Sequence, residues 1–154
     1  MEIAKLKLLE SVDDPQACEH PSQFDWDGSM SRVRALKSRL ESITGHTFIM
    51  DENVQDASFF TDLAILSGER YLSGIGMAVV SRIVIRFSCF GNLFTVYSTL
   101  EDEKLEESIV QDIIAEVQRH GFVYIEVDGL EERYTGVNPH LKGQSWWTRY
   151  FDYL

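Results

Sequence analysis

Two stretches of the chain place apolar side chains every three or four residues, which is the spacing of one face of an α-helix. Residues 29–44 and residues 101–120 are therefore predicted to be helices. Ser29 is expected to cap the first helix, and Gly45 and Gly121 are expected to follow the last turns of the two helices. The apolar stripes consist of Met30, Val33, Leu36, Leu40 and Ile43 in the first helix, and of Leu105, Ile109, Val110, Ile113, Ile114 and Val117 in the second.

Strand-like segments fill most of the chain between these helices. Residues 47–50, 58–66, 78–90 and 93–99 are predicted to be strands. Residues 67–76 contain three glycines and are expected to form a turn or loop.

The last two of these strands flank Gly91-Asn92, a dipeptide that is typical of a tight hairpin turn. A two-residue turn at this point places Phe87 opposite Val96. One face of the hairpin is then predicted to be core and the other to be partly wet. The core face collects Ile83, Ile85, Phe87, Cys89, Phe94 and Val96, and the wet face collects Arg82, Val84, Arg86, Ser88, Thr95 and Tyr97.

The two ends of the chain complete the predicted elements. Residues 122–128 and 146–154 are predicted to be strands, and residues 2–9 fit either a short strand or a short helix. Strands cluster between helices here instead of alternating with them, a pattern that predicts an α+β fold. We expect an antiparallel or mixed sheet of five to six strands with two main helices packed on one face. The connection from 99 to 122 is the one suited to placing neighbouring strands parallel.

The chain has 154 residues, a length typical of one domain, so residues 1–154 are predicted to form a single α+β domain. Hydrophobic residues make up 44% and charged residues 25%, which is typical of a globular protein. The first residues lack the pattern of a secretory signal, and no apolar run is long enough to cross a bilayer. Cys18 and Cys89 form no paired motif. We therefore expect free thiols and a cytoplasmic location.

Charge is the one unusual quantity in the composition. Asp and Glu number 25 against 14 Lys and Arg, which gives a net charge of −11. Such a charge repels nucleic acid and anionic membranes and speeds encounters with basic proteins. Residues 51–69 contain five acids and no base. A solvated face explains such a cluster, and so does a docking surface for a basic partner.

Motifs for catalysis or for cofactor binding are weak. The sequence has no GxxxxGK[ST] loop, no GxSxG elbow and no HExxH pair, and neither a cofactor nor a metal is predicted. Cys18 and His20 could form a nucleophilic dyad, but adjacent loop residues usually point apart. Residues 102–104 match a short nuclease string, but they lie where acids cap a helix.

One acid leaves a catalytic alternative open. Glu106 falls on the apolar stripe of the second helix, where a carboxylate would need a cationic partner. A small hydrolase or transferase with a site near Glu106, Arg86 and His120 is the enzymatic hypothesis. A first-turn residue that escapes to solvent is the structural interpretation.

The predicted strand at 122–128 suggests a binding surface instead. One of its faces presents Phe122, Tyr124, Glu126 and Asp128, and rings surrounded by charge suit a protein interface. A second small core under the tail would also account for these rings. We expect charge pairs from Asp51, Glu52, Asp56, Glu126 and Asp128, and anchors from Tyr124, Tyr134 and Trp146.

The sequence therefore predicts a non-catalytic acidic module that binds a basic protein. Its concrete form would be an inhibitor or immunity-type protein that neutralises a partner such as a nuclease-like toxin. No nucleic acid or membrane is expected as a partner. Two alternatives stay open: the small enzyme described above, and a structural subunit that forms a homodimer through a sheet edge.

Overall fold

The computed structural model describes residues 1–73, 76–99 and 106–154, with the backbone alone for 68–73 and 76–80. Within these residues the chain forms four α-helices, five strands and one short 3-10 helix. The helices are α1 (Ile3–Ser11), α2 (Trp26–Thr44), α3 (Glu107–Arg119) and α4 (Trp146–Phe151), and the 3-10 helix is Pro139–Leu141. The strands are β1 (Ile49–Asp51), β2 (Phe59–Ser73), β3 (Gly76–Ser88), β4 (Leu93–Tyr97) and β5 (Val123–Tyr124).

The five strands form one mixed sheet in the order β1-β2-β3-β4-β5. The first four pair antiparallel, and β5 pairs parallel to β4 after the crossover through α3. The predicted α+β fold is confirmed, and so is the parallel pair after the connection at 99–122.

The apolar stripes of α2 and α3 share one core with one face of the sheet. Val33 of α2 and Val117 of α3 are buried in the same cluster as Ile85 and Val96. Side chains alternate along a strand, so Arg86 and Tyr97 lie on the other face. There Arg86 donates to the carbonyl of Phe151 in α4. Arg86 therefore joins this face of the sheet to α4, whose Trp146, Tyr150 and Phe151 belong to the same buried cluster.

Helix α2 begins three residues earlier than its stripe predicts. The Asp25 carboxylate accepts a hydrogen bond of 2.9 Å from the Gly28 amide and caps the helix. The expectation that Ser29 is the cap is wrong, because Ser29 lies inside the helix and is buried. Gly45 ends the helix in the left-handed conformation as predicted, with φ of 69°.

The β3–β4 hairpin has the predicted faces in a different register. Phe87 pairs with Phe94 and Ile85 pairs with Val96, because four residues rather than two separate the strands. The predicted pairing of Phe87 with Val96 is therefore wrong by two residues. A shift of two preserves the alternation of faces, so every residue predicted for the core face is buried. The face predicted to be partly wet is drier than expected, because Val84, Ser88 and Thr95 are buried as well.

The predicted loop at 67–76 is wrong, because β2 continues to Ser73 and β3 starts at Gly76. The pairing of β2 with β3 changes register between Ile65 and Leu66 and again between Leu66 and Arg70. Glycine near such an irregularity is typical of a β-bulge. Gly68 therefore belongs to an irregular strand, although it was expected in a turn.

The tail at 146–154 is helical where a strand was predicted. The Ser145 hydroxyl caps α4 by accepting a hydrogen bond of 3.1 Å from the Thr148 amide. Of the predicted strand at 122–128, only the two residues of β5 form a strand. The segment 2–9, which fits either a strand or a helix by sequence, is helical from Ile3 onward, in α1. Of the predicted helix at 101–120, residues 101–105 lie outside the described part, and α3 accounts for the remainder.

A buried ion pair joins the beginning of the chain to α4. The Arg149 guanidinium lies 2.7 Å from the Asp13 carboxylate, and both side chains are fully buried. Arg149 also donates to the carbonyls of Asp14, Ala17 and Cys18. These bonds hold the loop after α1 against the last helix.

Candidate protein-binding surface

The residues predicted for a partner surface lie at two opposite edges of the sheet. Asp51 belongs to β1, whereas Tyr124 belongs to β5. Four inter-strand steps separate these strands, which amounts to about 19 Å at the usual strand spacing. The predicted set therefore divides into two separate groups.

Two of the predicted anchors are parts of the core. Tyr134 is 4% exposed and Trp146 is 1% exposed. Their ring centroids lie 4.7 Å apart, and the Tyr134 hydroxyl donates to the Asp13 carboxylate. Burial raises the pKa of Tyr134 to about 12. The expectation that these two rings face a partner is corrected, because tertiary packing covers both.

The group at the β5 edge is partly neutralised by a lysine. Glu126 and Asp128 are exposed, and Tyr124 is half-buried with its ring 5.4 Å from that of Phe94. The Lys5 ammonium donates to the carbonyl of Asp128 at 2.8 Å and lies 3.6 Å from the Glu126 carboxylate. Burial raises the pKa of Tyr124, and the charge of Glu126 adds to that effect. One of the two acidic charges at this edge, that of Glu126, is therefore partly offset within the molecule.

The group at the β1 edge contains acids with no such compensation. Glu52 is paired with Arg34 through two hydrogen bonds of 3.1 and 2.8 Å, and this pairing lowers the pKa of Glu52. Asp51 and Asp56 are both exposed, and neither has an ion pair in the described part of the chain. Their charges are available to a partner.

The nearest arginine on the same face cannot neutralise Asp51, because it is already paired. The Asp62 carboxylate, which lies beside Asp51 in the register of β1 and β2, is 2.8 Å from the Arg86 guanidinium. Arg86 lies over the Phe59 ring, 3.8 Å from its centroid. Burial raises the pKa of Asp62, Arg86 opposes this shift, and Asp51 adds to it. Among the described residues, Asp51 therefore lies beside a second carboxylate, and the arginine there is already paired.

Two exposed apolar side chains adjoin these acids. Ile49 is 48% exposed on β1, and Tyr153 is 56% exposed with its ring edge-on to Phe59 at 5.2 Å. Tyr153 pairs with Ala57 in an isolated bridge, which places it next to Asp56. We call Ile49, Asp51, Asp56 and Tyr153 the acidic edge. No local pattern marks Tyr153, because its position depends on the bridge between the tail and Ala57.

The residues of the enzymatic hypothesis do not converge. Glu106 is exposed at the start of α3, and His120 follows its end. Fourteen residues of helical rise separate them, or about 21 Å. Arg86 pairs with Asp62 on the far face of the sheet. The buried acid of α3 is instead Glu116, held by Arg39 at 3.1 Å and by Arg119 at 2.6 Å.

The other catalytic candidates also lie apart or outside the described residues. Cys18 lines a small cavity with His140, whereas His20 lies against Trp26 in a different cavity. Residues 102–104 are not among the described residues. In the described ranges, no three His, Cys, Asp or Glu side chains are grouped closely enough to hold a metal ion.

Comparisons with protein-family models, curated proteins and solved structures gave no significant match. Among the described helices, none has the length and apolar character required to cross a bilayer.

Proposed function

We propose that this protein is a non-catalytic, cytoplasmic module that binds a basic protein through its acidic edge. The observation that carries the proposal is the pair of exposed carboxylates of Asp51 and Asp56, which have no ion pair among the described residues. The exposed ring of Tyr153 lies next to Asp56. Unpaired charges attract an oppositely charged surface at long range. A neighbouring ring can then be buried in the complex and slow its dissociation.

The charge of the whole chain supports the same kind of partner. A net charge of −11 favours encounters with basic proteins at low ionic strength. Glu52 is committed to Arg34, and Glu126 is partly committed to Lys5. The acidic edge is therefore the group of predicted residues with the most charge left to offer.

A nuclease-like toxin fits this chemistry. A nuclease binds phosphates through a basic groove, and an acidic protein surface can occupy the same groove by presenting carboxylates in place of phosphates. Binding there would block substrate without any catalytic step. We propose an inhibitor or immunity-type role on this basis.

The experiment measures association with purified basic nuclease domains from the source cell. Binding rates are recorded at 25, 100 and 300 mM NaCl, together with cleavage of DNA and RNA. We expect an inhibitory complex whose association rate falls steeply with salt, because opposite charges steer the encounter. The proposal would be overturned if no nuclease domain bound at 25 mM NaCl, or if the association rate did not fall between 25 and 300 mM NaCl.

Matched variants locate the surface. Asp51→Asn with Asp56→Asn should slow association about tenfold at low salt, and Tyr153→Ala should speed dissociation. Glu126→Gln with Asp128→Asn removes the same charge at the other edge and should have a much smaller effect. Equal effects of the two double variants would show that overall charge, and not the acidic edge, drives binding.

The free side of β1 favours one alternative, a homodimer. Within the described residues β1 has a strand neighbour on one side only, and an open edge can pair with a second copy. Such pairing would bring two acidic edges together, which opposes it electrostatically. Light scattering should therefore give the monomer mass of 17.7 kDa, and a doubled mass would support the dimer over the proposed module.

A further inference from the structure

A groove of about 560 Å³ opens between the start of α2 and the β3–β4 turn. Its walls include the ring of Phe24, Pro21 and the backbone of Gly28 and Gly91. The volume lies in the range of small-molecule sites. The acidic edge contributes no residue to this groove.

Arg32 lines the groove and contacts two neighbouring side chains. Its guanidinium lies over the Phe122 ring, 4.7 Å from the centroid, and donates a hydrogen bond of 2.8 Å to the Asn92 side chain. Asn92 adopts φ of 53° in the β3–β4 turn. The turn and the ring therefore both contact the guanidinium of this exposed residue from within the protein.

The same guanidinium has no carboxylate partner. In the part of the chain that the structure describes, Arg32 makes no ion pair, although the chain carries 25 acids. Arg34, two residues further along α2, is paired with Glu52. A guanidinium presents five N–H donors in a planar fork that matches a carboxylate, and Asn92 uses one side of that fork.

The opposite end of the groove has the opposite charge. Asp25 also lines the groove, and its carboxylate accepts the hydrogen bond from the Gly28 amide that caps α2. Seven residues of helical rise separate Asp25 from Arg32, or about 10 Å along the axis. A ligand with one carboxylate can satisfy Arg32 and keep its apolar part on Phe24, whereas a second carboxylate would approach Asp25.

We propose that this groove binds the carboxylate of a small monocarboxylic acid with an apolar body. The carboxylate pairs with Arg32, and the body lies on Phe24 and Pro21. Asn92 acts as a positioning residue that orients the guanidinium. This site is independent of the acidic edge, so neither proposal depends on the other.

The test titrates the full chain with phenylacetate and follows amide shifts by NMR, with phenylacetamide as the neutral isostere. We expect phenylacetate to shift the amides of Phe24 and Gly91 and to bind at least about tenfold more tightly than phenylacetamide, because charge-assisted hydrogen bonds exceed neutral ones. Succinate should bind more weakly than phenylacetate. Equal binding of phenylacetate and phenylacetamide would overturn the proposal.

Two variants and one control assign the binding to Arg32. Arg32→Gln should weaken phenylacetate binding about tenfold, whereas Arg34→Gln, close by on the same helix, should leave it unchanged. Asn92→Gly keeps a residue that tolerates positive φ and should weaken binding several-fold without loss of the fold, as checked by circular dichroism. Equal losses in the Arg32 and Arg34 variants would also overturn the proposal.

A second probe tests whether the carboxylate belongs to a small molecule or to a glutamate side chain of a protein segment. A blocked peptide, acetyl-Phe-Glu-Phe-amide, carries the same chemistry on a side chain. Tighter binding of this peptide than of phenylacetate, lost in Arg32→Gln, would support the carboxylate site and identify its source as a protein segment. If neither probe binds in an Arg32-dependent way, the proposal is wrong.

Discussion

Glu116 and Asp51 have the same charge and opposite environments. Glu116 is 4% exposed and accepts hydrogen bonds from Arg39 and Arg119. Asp51 is exposed and has no cation in the described residues. Removing the buried carboxylate of Glu116 is expected to lower the stability of the fold. Removing the exposed carboxylate of Asp51 is expected to weaken partner binding without lowering stability.

Glu116 should make the stability of the fold depend on acid pH. The hydrogen bond from Arg119 lowers its pKa, burial opposes this shift, and Arg39 adds to the lowering. A carboxylate with a lowered pKa in the folded state contributes stability above its ordinary pKa near 4.5, and this contribution is lost as pH falls through the lowered value. Thermal melts between pH 7 and pH 3 should show a steeper loss for the wild type than for Glu116→Gln. Asp112→Asn on the exposed side of α3 is the control and should keep the wild-type slope.

Sequence patterns predict the exposed acids of the candidate site, but they do not predict which of its aromatic side chains are buried. Asp51 and Asp56 lie in a polar segment, and such residues are exposed in most folds. Trp146 and Tyr134 each have an apolar ring and one polar atom, so their residue types fit either a core or an interface. Tyr134 bonds Asp13, more than a hundred positions earlier, and Trp146 packs on the Tyr134 ring. No local pattern encodes such contacts.

Among the secondary-structure elements, those with a complete local signal were predicted best. Helix α2 has an apolar stripe and Gly45 at its end, and the hairpin has alternating faces around Gly91. Helix α4 has only six residues, and its aromatic residues favour strands in isolation. Packing of those rings and the Ser145 cap overrode that preference.

The β3–β4 turn should be sensitive to a side chain at Gly91. This residue has φ of 59°, and an added Cβ would lie 2.5 Å from a methyl carbon of Val12. Gly45 has a similar φ of 69° with open space around it. Gly45→Ala should cost about 1 kcal/mol from backbone strain alone, and Gly91→Ala should cost clearly more because of the clash. Urea denaturation measures both, and equal losses would show that the turn moves away from Val12.

At the scale of the whole molecule, the excess of negative charge works against compactness. The net charge of −11 creates self-repulsion that salt screens. We expect the melting temperature to rise between 20 and 300 mM NaCl. Asp51→Asn with Asp56→Asn should reduce that rise, because it removes two unpaired charges. A fall in melting temperature with salt would show that ion pairs within the fold outweigh the repulsion.

The α+β class could be predicted from the order of elements, but the division of the candidate site could not. Strand order decides which residues become neighbours, and pairing between distant strands leaves no trace in local periodicity. Local patterns are therefore compatible with Asp51 and Glu126 on one surface, whereas the sheet order places β1 and β5 at opposite edges.

The buried pair of Asp13 and Arg149 has a consequence for biosynthesis. A ribosome adds residues from the amino end, so the partner of Asp13 is translated 136 positions later. Until that codon has been read and the segment has left the exit tunnel, the carboxylate stays hydrated and the loop at 13–18 has no guanidinium to fold around. Nascent chains halted before Arg149 should consequently be cut readily by protease within that loop, while released chains resist.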